Sequence, residues 1–232
     1  MDYSDAPDFQ AGGDCVWGQI VMQTRAIMRH KFLLAGMATG RFLDIGCSEG
    51  TYVAGSAELG WTASGIEIDD AKVRRARSRG LDVRSVDLLS GTASLPRADF
   101  VMLRHVVEHV PDFVQFTRIA ASAVAEGGVL WIECPNQAAL AVLLKRNRIR
   151  QQRYLGALYP PTHIHAFESK ALRRLGDKIG LRLERIVTCA PSDCNWNPPY
   201  QVRLSPLKRA VHRGAALLGY GKDLAAVYRK NA

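Results

Sequence analysis

The chain has 232 residues, 47% hydrophobic and 23% charged, enough for one sizeable core of ordinary globular composition. No run approaches the ~18 apolar residues of a membrane span, and the acidic start MDYSDAPDFQAGGD lacks the basic-then-apolar order of a signal peptide. The net charge of +9 comes without a zinc-finger or RNP-type aromatic pattern, so no specific nucleic acid is expected.

Five scattered cysteines form no disulfide framework, which makes a reduced cytoplasmic setting the expectation. Residues 1–40 read as an N-terminal arm, to about residue 15, followed by one or two lead-in helices. Residues 41–232 read as one domain. Arg41–Ile45 is a first strand, then a turn built on Gly46, Ser48 and Gly50, then a helix over Thr51–Leu59 ended by Gly60. Thr62–Ile68 is the second strand. Asp69 caps a helix that Gly80 stops, and Leu81–Val86 is the third strand, finishing at Asp87. Ala98–Leu103 is a fourth strand, Asp112–Ala125 a helix, and Gly127-Gly128 turns into a fifth strand, Val129–Cys134. Beyond Pro135-Asn136 come an apolar helix, the run KRNRIRQQR and Tyr159-Pro160-Pro161. Ser169 caps a helix stopped by Gly180, Leu181–Thr188 is the sixth strand, and Asp223–Tyr228 closes the chain. The segments 137–165 and 191–221 interrupt this alternation, the second carrying a basic amphipathic helix over Pro206–Leu218. Strands alternating with helices predict an α/β fold with a doubly wound, mainly parallel sheet.

In such sheets ligands sit outside the carboxyl ends of the strands. Those ends carry Asp44, the glycine turn, Glu67, Asp87 and Arg104-His105. Small residues in the turn let backbone approach a ligand, and an acid about 20 residues past such a turn accepts ribose hydroxyls. Glu67 fits that task, and Asp87 suits the exocyclic amine of a purine. A dinucleotide turn would be G-x-G-x-x-G; here Glu49 places negative charge where a phosphate would lie. The site reads as one for an adenosine whose tail is not a phosphate.

Taken together, FLDIGCSEG, GIEID, the V-D-L after the third strand, HVVEHV and the GG-strand-PN run resemble a class I S-adenosylmethionine-dependent methyltransferase from about Arg41 to Thr188, and again at the closing strand. The resemblance implies seven strands with the last antiparallel. It implies that Asp44, Gly46, Cys47, Ser48 and Gly50 hold the methionine part, Glu67 and Ile68 the ribose, and Asp87 and Leu88 the adenine, with Arg104 completing the cofactor set. Ser48 departs from the family's usual glycine. HVVEHV and PPTHIHAFES are similar to small-molecule O-methyltransferases of ubiquinone and polysaccharide biosynthesis, which implies methyl transfer to an oxygen of a small or carrier-linked acceptor of sugar or phenol type. GIEIDDAKVRRARSRGLDV is also similar to the methionine-biosynthesis protein MetW, and so keeps open a non-catalytic protein that binds the cofactor and acts through a partner. The two inserted segments fall where the family places substrate-covering elements.

The same residues admit other readings. Gly46–Gly50 spells the G-x-S-x-G of a serine hydrolase, but no oxyanion loop precedes it. Asn197-Pro198-Pro199-Tyr200 spells a nucleic-acid methyltransferase loop, yet follows the sixth strand rather than the fourth. His105 is the leading general base, with His163 and His165 on the opposite wall, since imidazole accepts a hydroxyl proton near neutral pH. His105, Glu108 and His109 could together hold a divalent metal of the zinc, manganese or iron type, although a loop held by Glu108 and His109 without metal is the favoured expectation. The basic runs suit an anionic acceptor, or a peripheral membrane contact through the basic C-terminal helix; a solvated face explains them equally.

Overall fold

The computed structural model describes residues 13–91, 94–144, 157, 158, 160–189 and 205–231. Seven strands form one sheet in the order β3-β2-β1-β4-β5-β7-β6. They are β1 (Arg41–Ile45), β2 (Thr62–Glu67), β3 (Val83–Ser85), β4 (Ala98–Arg104), β5 (Val124–Pro135), β6 (Arg182–Cys189) and β7 (Asp223–Arg229). β7 runs antiparallel to both of its neighbours, and the remaining pairs are parallel, so the expected doubly wound sheet with an antiparallel last strand is present. The helices are α1 (Gly13–Leu34), α2 (Thr51–Ala57), α3 (Asp70–Ser78), α4 (Phe113–Ser122), α5 (Leu140–Leu144), α6 (Ser169–Ile179) and α7 (Pro206–Leu217). Among the described residues no helix is long and apolar enough to cross a membrane.

Local signals set most boundaries. Asp69 caps α3 by accepting from the amides of Ala71 and Lys72, and Gly180 ends α6 in the left-handed region. Several expectations need correction. The lead-in, expected as one or two helices from Val16, is one helix that starts at Gly13, inside the stretch read as an arm. α4 stops at Ser122, because Val124 already pairs with Ala98 and the Gly127-Gly128 turn is absorbed into β5 as a register shift. Ser169 is the first residue of α6 rather than its cap; Glu168 holds that place without a side-chain bond. Cys189 is disulfide-bonded, whereas Cys47 and Cys134 are free and buried. The run 145–153 and residues 191–204, with Trp196 and the Asn-Pro-Pro-Tyr stretch, lie outside the described residues.

The two faces of the sheet follow the strand period of two. Leu43, Ile45, Val101, Leu103, Leu130 and Ile132 face α4 and α6. Phe42, Phe100, Met102, Val129 and Trp131 face α1, where Phe32 stacks on Trp61 with ring centroids 3.9 Å apart. α1 also lies close on α2. Thr24 Oγ1 donates to Thr51 O at 2.9 Å, and a Cβ on Gly55 would meet Thr24 Oγ1 at 2.6 Å.

Continuing the α1-facing rows toward the carboxyl edge, the residues turn polar: Asp44 after Phe42, Arg104 after Met102, and Glu133 after Trp131. Glu133 is 2% exposed. Its carboxylate receives Lys31 Nζ from α1, Arg104 Nε at 3.0 Å and Trp131 Nε1 at 3.1 Å. Those two cations hold its carboxyl below the usual range despite burial, while burial also lowers the affinity of Lys31 for its proton. Removing one partner of a buried ion pair strands the other charge, at about 3–5 kcal/mol. Glu133→Gln is therefore expected to lower unfolding free energy by about 3–5 kcal/mol in urea titration, with Arg41→Gln at the half-exposed Arg41–Asp99 pair costing under ~1 kcal/mol.

Candidate active site at the carboxyl edge of the sheet

β1 ends at Ile45, and the chain then turns sharply under the start of α2. Gly46 has φ +78°, and a Cβ there would come within 2.4 Å of Val106 Cγ2, so only glycine fits. Ser48 is also left-handed at φ +52°, a conformation that explains why glycine is usual at this position. Glu67, at the end of β2, organises the turn: its carboxylate accepts from the backbone N–H of Ser48 at 2.8 Å, Ile68 at 2.9 Å and Asp69 at 3.1 Å. The Glu49 side chain bonds Arg75 at 2.8 Å and Arg79 at 2.7 Å on α3. Its charge is thus neutralised by two arginines, so Glu49 does not exclude a phosphate, contrary to the expectation from the sequence. The acids that do shape the site are Asp44 and Glu67.

Asp44 is 2% exposed, and its carboxylate makes no hydrogen bond with a described residue. Burial raises its pKa to about 7, with Glu67 adding to the rise and Arg104 and Lys31 opposing it. A buried carboxyl held this way favours a neighbouring cation. The cofactor implied by the sequence carries a sulfonium and an ammonium, and the acidic lining at Asp44 and Glu67 fits it. Cys47 is buried against Gly65, Ile68 is exposed beside Glu67, and Asp87 caps a short 3-10 turn by accepting from Leu89 N at 2.9 Å. Leu88 is buried in the core, and the Arg104 side chain turns to Glu133 and lies 5.1 Å over the Tyr52 ring.

Next along the edge, His105 follows β4 with φ +51°, its amide donating to Glu133 O at 2.8 Å. Its Nδ1 lies 3.2 Å from Glu108 Oε1 and its Nε2 3.8 Å from Asp223 Oδ2. Glu108 and Asp223 are each 1% exposed, and Glu108 Oε2 and both Asp223 oxygens have no hydrogen-bond partner among the described residues. Burial pushes Glu108 up to about 8 and Asp223 to about 6, and burial together with Arg104 lowers His105 well below its ordinary value. His165 Nε2 faces the carbonyls of Val110 at 3.0 Å and Pro111 at 3.1 Å, and His163 Nδ1 faces Ala157 O at 2.9 Å. The His165 contacts, with the amides of Ile164 and His165 donating to Glu108 O, tie the segment after Pro161 to the loop after β4.

The sequence groups His105, Glu108 and His109 as possible metal ligands. The structure instead gathers Glu108, His109 and His163, with ligand atoms within 4.8 Å of one another, and separately His105, Glu133 and Asp223. Glu133 in the second group already bonds Lys31 and Arg104. In the first, His109 Nδ1 faces Thr162 O at 2.8 Å, which leaves its other nitrogen available to an ion. Sequence reasoning missed Glu133, Lys31 and Asp223. Asp223 alone left a trace, as the single acid in a basic C-terminal stretch.

A family model described as a methyltransferase domain matches residues 22–186. The chain belongs to that family, the class I methyltransferases that use S-adenosylmethionine. Among curated proteins it is similar to the ubiquinone biosynthesis O-methyltransferase of Brucella ovis, 32% identical over 171 residues, covering 68% of this chain and 66% of that protein. The protein of that name from Thiobacillus denitrificans is 28% identical over 162 residues, covering 66% of this chain and 68% of its own. The chain thus spans about two thirds of the length of these relatives. In fold it is similar to a SAM-dependent methyltransferase from Archaeoglobus fulgidus, with TM-score 0.63, 20% identity, and 90% of this chain and 94% of that chain covered. It is likewise similar to magnesium protoporphyrin IX methyltransferase from Synechocystis PCC 6803 with bound SAH, with TM-score 0.60, 14% identity, and coverage of 91% and 84%.

Two stability measurements probe this edge. Unfolded, Asp44 ionises near 3.8, and folded near 7. The folded state therefore holds the extra proton between those values, and stability falls as pH rises through that window. The thermal stability gained by Asp44→Asn should accordingly grow from almost nothing below pH 3.8 to ~2–4 kcal/mol above about 7. Gly46→Ala, strained by φ and by Val106, should lose about 1–3 kcal/mol in urea titration at any pH.

Proposed function

We propose that this protein transfers the methyl of S-adenosylmethionine to an oxygen of a small or carrier-linked acceptor of phenol or sugar type. The observation that carries the proposal is the half-buried His105 imidazole at the carboxyl edge of β4, with the buried carboxyls of Glu108 at 3.2 Å and Asp223 at 3.8 Å. The names of the curated relatives support the same reaction class. The sulfonium supplies an activated methyl and a good leaving group, so positioning dominates the chemistry.

In this reading Asp44 and the turn of Gly46, Cys47, Ser48 and Gly50 hold the cationic methionine end. Glu67 has three of roughly four acceptor sites taken by backbone amides, leaving about one for a ribose hydroxyl beside Ile68. Asp87 takes the adenine amine next to Leu88, and Arg104 acts from below by lowering the charge cost of Asp44. With Nδ1 bonded to Glu108, the Nε2 of His105 accepts the hydroxyl proton. Asp223, 3.8 Å away, is too far for a direct hydrogen bond but near enough to stabilise the imidazolium. His165 and His163 shape the acceptor wall. The basic run of residues 145–153, in the insertion proposed to cover the acceptor, supports an acceptor bearing negative charge.

A screen with isotopically labelled methyl donor against phenols and sugar nucleotides tests the reading. His105→Asn should cut kcat about 10²–10⁴-fold on the best acceptor while leaving cofactor affinity intact. A variant as fast as the parent, or transfer confined to amines, would contradict it.

A further inference from the structure

α7 is unlike the other helices in having no buried residue at all. Leu207, Val211, Gly214 and Leu218 recur at helical spacing and form one stripe along it. Leu207 is 74% exposed, Val211 51% and Leu218 75%, with Leu217 beside them at 90%. The opposite side of the helix holds it to the protein: His212, Ala215 and Ala216 are half-buried, and Thr188 Oγ1 donates to Ala216 O at 2.7 Å. Its outward apolar stripe is therefore exposed, with the exposed Lys208 and Arg213 to either side of it, the exposed Arg209 further round, and no acid anywhere in the helix.

Leu140 N, at the start of α5, donates to Tyr220 O at 2.9 Å, just past α7, and Leu143 and Leu144 of α5 are exposed. The connection from α7 to β7 is fixed to the ligand edge. Asn136, just past β5, donates from Nδ2 to Gly219 O at 3.1 Å and Gly221 O at 2.9 Å, and from its amide to Lys222 O at 3.0 Å.

We propose that α7 is a docking surface for an anionic lipid bilayer, its leucine stripe entering the acyl boundary and its lysine and arginines meeting the headgroups. A second copy of a chain with net charge +9 would meet the same positive surface, which disfavours self-association through this face. Docking would hold the ligand edge against the membrane surface through Asn136. The inference stands apart from the acceptor chemistry.

Sedimentation of the full chain with vesicles of phosphatidylcholine, alone or mixed with phosphatidylglycerol, tests it. Binding is expected to the mixed vesicles only and to weaken with salt. The double variants Leu207→Asp with Leu218→Asp, and Lys208→Glu with Arg209→Glu, should each lower it by about tenfold or more, with melting temperature and cofactor binding unchanged. No binding to the mixed vesicles, or binding that the leucine pair leaves intact, would overturn the proposal. So would a dimer that the leucine pair dissociates, which makes a second copy the occupant. A melting temperature lowered by that pair would overturn it too, showing the stripe to be packed within the chain.

Discussion

The site depends on one buried carboxylate. Glu133 joins three parts of the chain that are far apart in sequence: Lys31 from the lead-in helix, Arg104 from the central strand, and its own carbonyl to the amide of His105. Burying a carboxylate costs several kcal/mol before pairing, and here two cations and an indole N–H offset that cost. Such a group fixes one arrangement more than it adds net stability. Lys31 can reach Glu133 only if α1 lies on the sheet in a single register, over Trp131 and beside Phe32. The same carboxylate orients Arg104, and its carbonyl holds the left-handed turn that presents His105.

Around this hub the other edge acids behave in the opposite way. Asp44, Glu108 and Asp223 are buried with no lysine or arginine bonded to them among the described residues, and are pushed up to about 7, 8 and 6. Each gives up its proton at a higher pH than it would in the unfolded chain, so each subtracts from stability near neutral pH. A chain selected for stability alone would place apolar residues at those positions. Their gathering at the carboxyl ends of β1 and β4 and the amino end of the reversed β7 is the pattern of a site whose unfavourable charges are relieved by a ligand.

Much of this was legible in the sequence, because its causes are local. β1 at Arg41–Ile45, the Asp69 cap and the Gly180 stop follow from strand period and helix termini, and the acids at strand ends follow from the alternation that defines those ends. What escaped depends on distant neighbours. Glu133 looks like one more residue of an apolar strand until β4 and α1 are laid beside it. Asp223 meets His105 because β7 runs backwards, which brings its first residue to the ligand edge. His163 joins Glu108 and His109 across a chain reversal that no spacing rule encodes. The extension of β5 through Gly127-Gly128 is set by pairing with Ala98, and turn propensity alone points the other way.

The central claim is that the edge around Asp44 is built for a cationic adenosine. Calorimetric titration of S-adenosylmethionine in buffers of different ionisation enthalpy tests it most directly, because such buffers report the protons released on binding. A cation beside Asp44 favours its ionised form, so the account predicts affinity that rises with pH through about 7. Below that pH, binding should release up to about one proton, and Asp44→Asn should abolish the release. No binding, or binding with no proton release below pH 7 and no effect of Asp44→Asn, would contradict it.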